Sequence, residues 1–414
     1  MKIIKFSRVI LLLTIVMVFS IAVPKYYWMT FEKRVRPTNF IYSSLKNDFI
    51  KMKAIGKRVH WFDNKNREVS RKEFEKLAPL YYYRNLLYHG IMPDSLNGVK
   101  LDIDEIKKNT IFFNIKPKDI LTSQIQLFPL IESKPDQPKL SMPKDFFRIK
   151  ERMEFINCES NSVEEKPSLL FTNALKEKGF VFPAQGIWGN PSTMKPYDDG
   201  YFVIDSANKL FHIKKVKGEP VVNVKQLPEN IHPVYILVTE IRLQEFHAVI
   251  ITDKSEVYLV SFDNYKLVKL PISDYDYRNT QLRFSGNIFI RTILLSKDSG
   301  SEVIVTNRKY KTIATISEST VDKWETGAGT FLKAVAPFAL SLRNSHTTFV
   351  NFYFKFTGII SLIGIILSLI VYFIIDSKFR TEKKSSAVDY ILILFTGVYG
   401  LLALLLVPDE SWKV

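Results

Sequence analysis

The chain of 414 residues contains a single cysteine, Cys158. One cysteine excludes an intramolecular disulfide framework and any zinc or iron–sulfur site built from several cysteines of one chain. The mean hydropathy is close to zero although 24% of the residues are charged. This average excludes both a disordered tail and a transporter of many spans. The apolar residues must therefore be concentrated in a few segments.

Recognisable catalytic motifs are also missing. The six histidines show none of the spacings of known zinc ligands, and the sequence has neither a nucleophile elbow nor a phosphate-binding loop. Ser192 to Lys195 match the S-x-x-K motif of penicillin-binding enzymes, but Pro191 and Pro196 exclude the continuous helix that this motif needs. We therefore expect a protein that is not an enzyme, with no catalytic residue, no metal site and no cofactor.

Two features resemble metal or catalytic sites more weakly. His212 and His247 lie in strand-like segments, where histidines are more often packed or solvated than bound to a metal. Asp198 and Asp199 lack the glycine and the spaced oxygen ligands of a calcium-binding loop. We expect this acidic pair to lie in a solvated turn.

Three apolar runs stand out, Val9 to Val23, Phe356 to Ile375 and Tyr390 to Val407. About 20 helical residues cross the ~30 Å hydrocarbon core of a membrane, so the sequence predicts three transmembrane helices. Pro24 and the aromatic residues after it are typical of an interfacial belt and favour an uncleaved anchor. The small residues Ser20 and Ala22 leave a cleaved signal peptide as the alternative.

The distribution of charge predicts the topology. Basic residues precede the first run and lie between the last two: Lys2, Lys5, Arg8, Lys378, Arg380, Lys383 and Lys384. The positive-inside rule puts both regions on the cytoplasmic side of the membrane. We expect this membrane to be a bacterial inner membrane, with the large domain in the periplasm. Most of the net charge of +16 then lies on the exported region. We expect the membrane lipid bilayer as a partner of this basic region and no nucleic acid.

The sequence predicts a membrane-anchored α+β protein with a mainly β exported domain. Its segments are a transmembrane anchor (1–28), an α+β region (29–178), a β-repeat region (179–329), a juxtamembrane amphipathic helix (330–355), a transmembrane helix (356–375), a cytoplasmic loop (376–389), a last transmembrane helix (390–407) and an exported tail (408–414).

The β-repeat region contains three strand–turn–strand units that can be laid over one another. Their markers Asp205, Asp253 and Asp298 are 48 and 45 residues apart. A repeat of about 46 residues is typical of four-stranded propeller blades, so we expect a propeller-like arrangement. An open sheet or a sandwich is the alternative, because three units are too few to close a ring.

Residues 186–201 combine tryptophan, tyrosine, asparagine and glycine in one segment between strands. Such a segment is typical of surfaces that bind sugars, peptides or proteins. The candidate partner-binding residues are Trp188, Asn190, Lys195, Tyr197 and Asp198. A purely structural loop is the alternative.

Small residues recur along the two C-terminal apolar runs and allow helix backbones to approach closely in lipid. The candidate helix-packing residues are Thr357, Ser361, Gly364, Ser368, Gly397 and Gly400. These residues either pack the two helices against each other or receive a helix of a partner.

Several strings resemble an uncharacterised family of bacterial membrane proteins. They are Leu170-Phe171, Ala174-Leu175, Gly179 to Ala184, the segment 186–201, Pro79 to Arg84 and Met92 to Asp94. The family carries a label of unknown function, assigns no catalytic residue, and is associated with genes for ABC-transporter ATPases and permeases. The resemblance implies an accessory subunit of an ABC-type export or lipid-handling complex. The alternatives are a membrane-tethered module that senses envelope glycans or peptides, and an envelope enzyme with a dispersed site.

Overall fold

The computed structural model describes residues 2–31, 38–55, 58–343, 351–379 and 387–408. Much of the predicted cytoplasmic loop and nearly all of the predicted exported tail lie outside these residues. The chain divides into two compact units. The helical unit comprises Met1–Arg36 and Ser319–Val414, and the β unit comprises Pro37–Glu318. The helical unit begins with α1 (Lys2–Phe31).

The described part of the β unit is built mainly from antiparallel sheets, most of them formed by four strands that follow one another in the chain. The first sheet contains β1 (Asn39–Ser43), β2 (Asp48–Ile55), β3 (Arg58–Phe62) and β4 (Glu68–Val69). A small hairpin follows, β5 (Ser95–Leu96) and β6 (Val99–Lys100). After β7 (Ile111–Ile115), the second sheet contains β8 (Phe128–Pro129), β9 (Asp145–Ile149), β10 (Met153–Asn157) and β11 (Val163–Glu164).

Three further sheets follow in the same manner. The third contains β12 (Ala184–Gly189), β13 (Tyr201–Asp205), β14 (Lys209–Val216) and β15 (Glu219–Gln226). The fourth contains β16 (Pro233–Val238), β17 (Phe246–Thr252), β18 (Val257–Ser261) and β19 (Leu267–Lys269). The fifth contains β20 (Gln281–Gly286), β21 (Ile290–Lys297), β22 (Gly300–Asn307) and β23 (Thr312–Ser319), and β7 pairs with β20 at its edge.

The three predicted strand–turn–strand units are present as β13–β14, β17–β18 and β21–β22. Each forms the middle pair of a four-strand run, which explains the spacing of the aspartate markers. Within the described residues we find no closed propeller or barrel. The fifth sheet departs from a simple repeat because β7, from a distant part of the chain, extends it.

Short helices connect these sheets, namely α2 (Arg71–Leu77), α3 (Tyr83–Tyr88), α4 (Ile103–Asn109), α5 (Pro117–Leu121) and α6 (Glu165–Glu177). In the sequence, Ser70 followed by Glu73 predicts the start of a helix. This is confirmed for α2, since the Ser70 side chain accepts a hydrogen bond from the Glu73 backbone N–H. The sequence predicts one kinked helix through Pro79, but two separate helices form. A proline disfavours helical geometry in the residue before it. Ala78 precedes Pro79, and α2 accordingly ends at Leu77.

Two apolar clusters supply most of the core of the β unit. One lies between the second and third sheets and includes Phe147, Phe171 and Phe211. The other lies between the fourth and fifth sheets, where Phe113 stacks on Phe284 with ring centroids 4.7 Å apart. These clusters fix the sheets on which the candidate site residues lie.

The helical unit continues with a 3₁₀ turn (Lys323–Glu325), α7 (Gly327–Val335), β24 (Phe338–Arg343) and β25 (Asn351–Phe356). A second 3₁₀ turn (Ile359–Ser361) leads into α8 (Leu362–Phe379), and α9 (Ala387–Thr396) and α10 (Val398–Leu406) follow. Phe6–Phe31 and Ile359–Phe379 have the length and the apolar composition of membrane spans. Three spans are not shown, because the last apolar run is divided at Gly397 into two short helices.

The predicted juxtamembrane helix over 330–355 is wrong after Val335. Pro337 cannot continue a helix, and α7 ends at Val335. After the proline, β24 and β25 pair as an antiparallel hairpin. The alternation of Phe338, Leu340 and Leu342 with other residues has the period of a strand rather than a helix.

The small residues of the last apolar segments pack against neighbouring parts of the helical unit. A Cβ atom on Gly364 would lie 2.4 Å from the carbonyl oxygen of Val335, at the end of α7. One on Gly397 would lie 3.0 Å from Cδ of Pro337. Thr357 donates a hydrogen bond to the carbonyl oxygen of Ala336, and Ser361 and Ser368 are buried. A Cβ atom on Gly400 would lie 2.3 Å from Oγ1 of Thr396, at the end of α9.

We expect Gly364→Ala to destabilise the protein by about 1–3 kcal/mol, because the new methyl group forces α7 and α8 apart. Gly327→Ala is the matched control, since a Cβ atom there meets nothing within 4 Å. The measurement is the thermal unfolding midpoint of the full chain in mild detergent. Equal midpoints for the two variants would contradict the close contact.

Candidate functional site

A buried group of charged side chains lies where the third and fourth sheets meet the segment 190–200. Lys195 Nζ donates to Asp198 Oδ1 and to Glu240 Oε1, each at 2.6 Å, and its side chain is only 3% exposed. Asn190 Nδ2 donates to the second oxygen of Glu240 at 2.7 Å. Glu240 follows β16, so these contacts fasten the segment to the fourth sheet.

Asp199 forms the centre of a second set of contacts. Its backbone N–H donates to Glu240 Oε1 at 2.8 Å. Lys214 donates to Asp199 Oδ1, and His247 Nδ1 donates to Asp199 Oδ2 at 2.7 Å. The carboxylate of Asp199 is fully buried. We refer to Lys195, Asp198, Asp199, His212, Lys214, Glu240 and His247 together as the polar cluster.

His212 lies on β14 two residues before Lys214, so both side chains leave the strand on the same face. Its Nε2 lies 2.5 Å from the carbonyl oxygen of Asp199, and its Nδ1 lies 2.7 Å from the hydroxyl oxygen of Tyr265. A carbonyl oxygen only accepts, so Nε2 carries the proton and Nδ1 accepts from the tyrosine. Both nitrogens are therefore used within the chain.

Burial determines the electrostatics of this cluster. It lowers the pKa of His212 to about 3, so the imidazole is neutral at pH 7. Burial alone would raise the pKa of Asp199, but the hydrogen bond from His247 and the charge of Lys214 lower it below its ordinary value. Burial raises the pKa of Glu240 in spite of the hydrogen bond from Lys195.

The imidazoles are held between aromatic rings. The ring of His212 stacks on Phe202 with centroids 4.2 Å apart. The ring of His247 stacks on Phe262 at 3.6 Å and lies nearly parallel to Tyr265 at 4.9 Å. Because the rings are fixed on their faces, their nitrogens point in defined directions. Donor atoms of Asp199, His212 and His247 lie within 4.8 Å of one another, and these residues can hold a metal ion.

The structure places the predicted partner-binding residues differently from an exposed loop. Trp188 lies on β12, and the connecting segment covers residues 190–200 only. Asn190, Lys195 and Asp198 make contacts within the chain. The hydroxyl group of Tyr197 is buried without a hydrogen-bonding partner among the described residues, while Met194 is 95% exposed. A role of these residues in partner binding stays a prediction.

The expectation of a solvated turn at Asp198 and Asp199 is wrong, since both are buried. The adjacent polar letters resemble a surface turn, but Gly200 with φ of +68° turns the chain inward. Sequence reasoning also missed Lys214 and Glu240. No local pattern points to these two residues, because they meet Asp199 only when the chain is folded.

An apolar cleft forms elsewhere in the β unit, between the first sheet, α3 and the fifth sheet. It has a volume of about 250 Å³, slightly below the ~300–1,000 Å³ of typical small-molecule sites. Aromatic and aliphatic side chains dominate its lining, among them Tyr42, Tyr81, Phe112 and Leu294. Arg283 on β20 also lines it, and its guanidinium forms no ion pair with any residue that the structure describes.

Comparison with known families places the chain. The family described as "Domain of unknown function (DUF4857)" matches residues 39–306, which is more than half of the chain. The chain belongs to this family. The matched range contains every residue of the polar cluster and all those named in the apolar cleft. No curated protein sequence matches the chain.

We expect Lys195→Met to destabilise the protein by about 3–5 kcal/mol, because it leaves Asp198 and Glu240 buried without their cation. Lys269→Met is the matched control. Lys269 also pairs with a carboxylate, that of Glu256, but its side chain is 54% exposed, and such pairs contribute only about 0–1 kcal/mol. Chemical denaturation of the full chain in detergent, followed by circular dichroism, compares the two. A larger loss for Lys269→Met would contradict this assignment.

Proposed function

We propose that the protein is a membrane-anchored, non-enzymatic accessory subunit of an export or lipid-handling complex, whose β unit binds an anionic amphiphile in the apolar cleft. The observation that carries the proposal is the guanidinium of Arg283, which lines an aromatic cleft and forms no ion pair with any residue that the structure describes. A cation without an ion partner favours an acidic head group, and the aromatic walls favour an acyl chain or a ring.

The lining of the cleft supports a ligand rather than a structural void. Phe112 and Tyr81 line the cleft, and their side chains are large and apolar. They are nevertheless 61% and 60% exposed. Large exposed aromatic side chains grouped around one cavity are typical of binding sites. The volume suits one acyl chain or one aromatic group.

The helical unit supports membrane anchoring. Along α8, four apolar side chains are at least 50% exposed, namely Ile363, Ile366, Ile370 and Phe373. A helix in a water-soluble core would bury them, whereas lipid solvates them. Arg8 pairs with the buried carboxylate of Asp389 at 3.0 Å. This contact brings the start of α1 and the start of α9 to the same end of the helical unit, consistent with the basic end that we propose to be cytoplasmic.

The resemblance to membrane proteins encoded beside ABC transporters supports the assignment to a complex, with an ABC permease or ATPase as the proposed partner. The small residues Gly364, Gly397 and Gly400 lie against the chain's own α7, Pro337 and α9. A partner helix would therefore contact the exposed apolar face of α8 rather than these glycines.

Replacement of Phe112 by the photo-crosslinker para-benzoylphenylalanine tests the cleft. We expect light to attach a cellular lipid to the full chain, visible as a lipid-sized mass increase of the purified protein. Arg283→Leu in the same background should reduce this adduct by about tenfold, the equivalent of ~1.4 kcal/mol of a charge-assisted contact.

Position 88 is the control for this experiment, because Tyr88 is 87% exposed and does not line the cleft. Equal adducts at positions 88 and 112 would contradict a specific site. A protein adduct at position 112, in place of a lipid, would favour a peptide-binding module instead.

The native Cys158 tests the proposed topology, because it is exposed and lies in the β unit. We expect a membrane-impermeant thiol reagent to label it once the outer membrane of intact cells is opened. Ser377→Cys in a Cys158→Ser background provides the control near the end of α8. That cysteine should react only after the inner membrane is lysed, and the reverse pattern would overturn the orientation.

A further inference from the structure

We propose that Asp199, His212 and His247 bind one divalent transition-metal ion of the zinc class, in exchange for the ammonium group of Lys214. This site lies in the polar cluster and is separate from the apolar cleft. It departs from the expectation of a metal-free protein. Carboxylate and imidazole groups are the ligands that zinc uses besides thiolates, and the chain has no second cysteine.

The distances suit a common ion. His247 Nδ1 lies 2.7 Å from Asp199 Oδ2, and His212 Nε2 lies 3.8 Å from Asp199 Oδ1. With bonds of about 2.1 Å, neighbouring ligand atoms of a tetrahedral ion are about 3.4 Å apart. The two separations lie on either side of this value, and the donor atoms of all three residues lie within 4.8 Å of one another. Small side-chain shifts bring them to a common ion.

Protons on the imidazoles can be rearranged within the existing contacts. In the arrangement described above, His212 carries its proton on Nε2. Binding of an ion at Nε2 moves this proton to Nδ1, where the Tyr265 oxygen at 2.7 Å accepts it. A hydrogen bond from the second ring nitrogen is the usual outer support of a histidine ligand. When Nδ1 of His247 binds the ion, the proton of this neutral ring lies on Nε2.

The charge of the cluster provides an independent argument. Three carboxylates, those of Asp198, Asp199 and Glu240, face the two ammonium groups of Lys195 and Lys214. Apart from the imidazoles, these five groups carry one negative charge in excess in a buried volume. Such an excess is costly. A divalent ion in the place of the Lys214 ammonium balances the charges.

The two lysines differ in their freedom to leave. The side chain of Lys195 is 3% exposed and bonded to Asp198, Glu240 and the carbonyl oxygen of Asn190. The side chain of Lys214 is 23% exposed and its ammonium contacts Asp199 alone among the described residues. Lys214 can therefore turn toward solvent when an ion arrives, whereas Lys195 stays and compensates Asp198 and Glu240.

The test is a titration of the full chain, purified in mild detergent without a histidine tag and stripped with a chelator. Co²⁺ is the probe, because its visible absorption reports nitrogen ligands, and calorimetry with Zn²⁺ measures the affinity. We expect one ion per chain. Lys214→Met removes the competing ammonium and should tighten binding by about tenfold or more, while Asp199→Asn should weaken it by about a hundredfold.

His60→Ala is the matched control, because His60 also contacts a carboxylate, that of Glu68, but lies in the first sheet. It should leave the affinity unchanged. If Asp199→Asn fails to fold, the comparison of the wild type with Lys214→Met decides the question by itself. Absence of stoichiometric binding, or an affinity that Lys214→Met does not raise, would overturn the proposal and leave the cluster as a network of ion pairs.

Discussion

The pairing of Lys195 with Asp198 and Glu240 is the contact on which the central part of the β unit depends. These side chains are 1–3% exposed, and each would be costly alone in such surroundings. Together they hold the segment 190–200, which joins β12 and β13, against the end of β16. Asp199 is placed by the same carboxylate, because its backbone N–H donates to Glu240. The orientation of His247 follows, since its Nδ1 donates to Asp199.

These contacts depend on one another for a physical reason. A buried ion pair contributes little to stability compared with apolar packing, but it is specific, because any other arrangement leaves a charge unpaired. Apolar burial has no preferred direction, whereas the hydrogen bonds of the polar cluster require defined distances and angles. This cluster therefore fixes how the third and fourth sheets meet, and the aromatic rings of Phe202, Phe262 and Tyr265 close the space around the two imidazoles.

The apolar cleft and the polar cluster show two ways in which this unit departs from a plain stack of sheets. The cleft exists because β7 extends the fifth sheet, and the first sheet with α3 covers only part of the surface that results. Arg283, which has no ion-pair partner in the described part of the chain, contrasts with Arg291 on the neighbouring strand. Arg291 is fully buried and paired with Glu245. The guanidinium of Arg291 therefore lies in the protein interior, whereas that of Arg283 lines the cleft.

Local sequence signals predicted the elements well where the physical cause is local. The capping of α2 by Ser70 and the hairpins of the repeat follow from a cap, turns and alternation. Two of the three apolar runs form helices long enough to span a membrane. The third is divided at Gly397, which lies close to Pro337 and Ile365. The segment after Pro337 forms a hairpin, because the proline ends the helix and the residues after it alternate.

The sequence by itself determined the α+β character, the two long apolar helices and the hairpins of the repeat. It did so because hydrophobic periodicity, caps and turns act over a few residues. Only the tertiary structure decided which polar residues meet. Asp199 and His247 are 48 positions apart, and Lys195 and Glu240 are 45 apart. Contacts at such separations depend on how two sheets pack, and no local pattern encodes that packing.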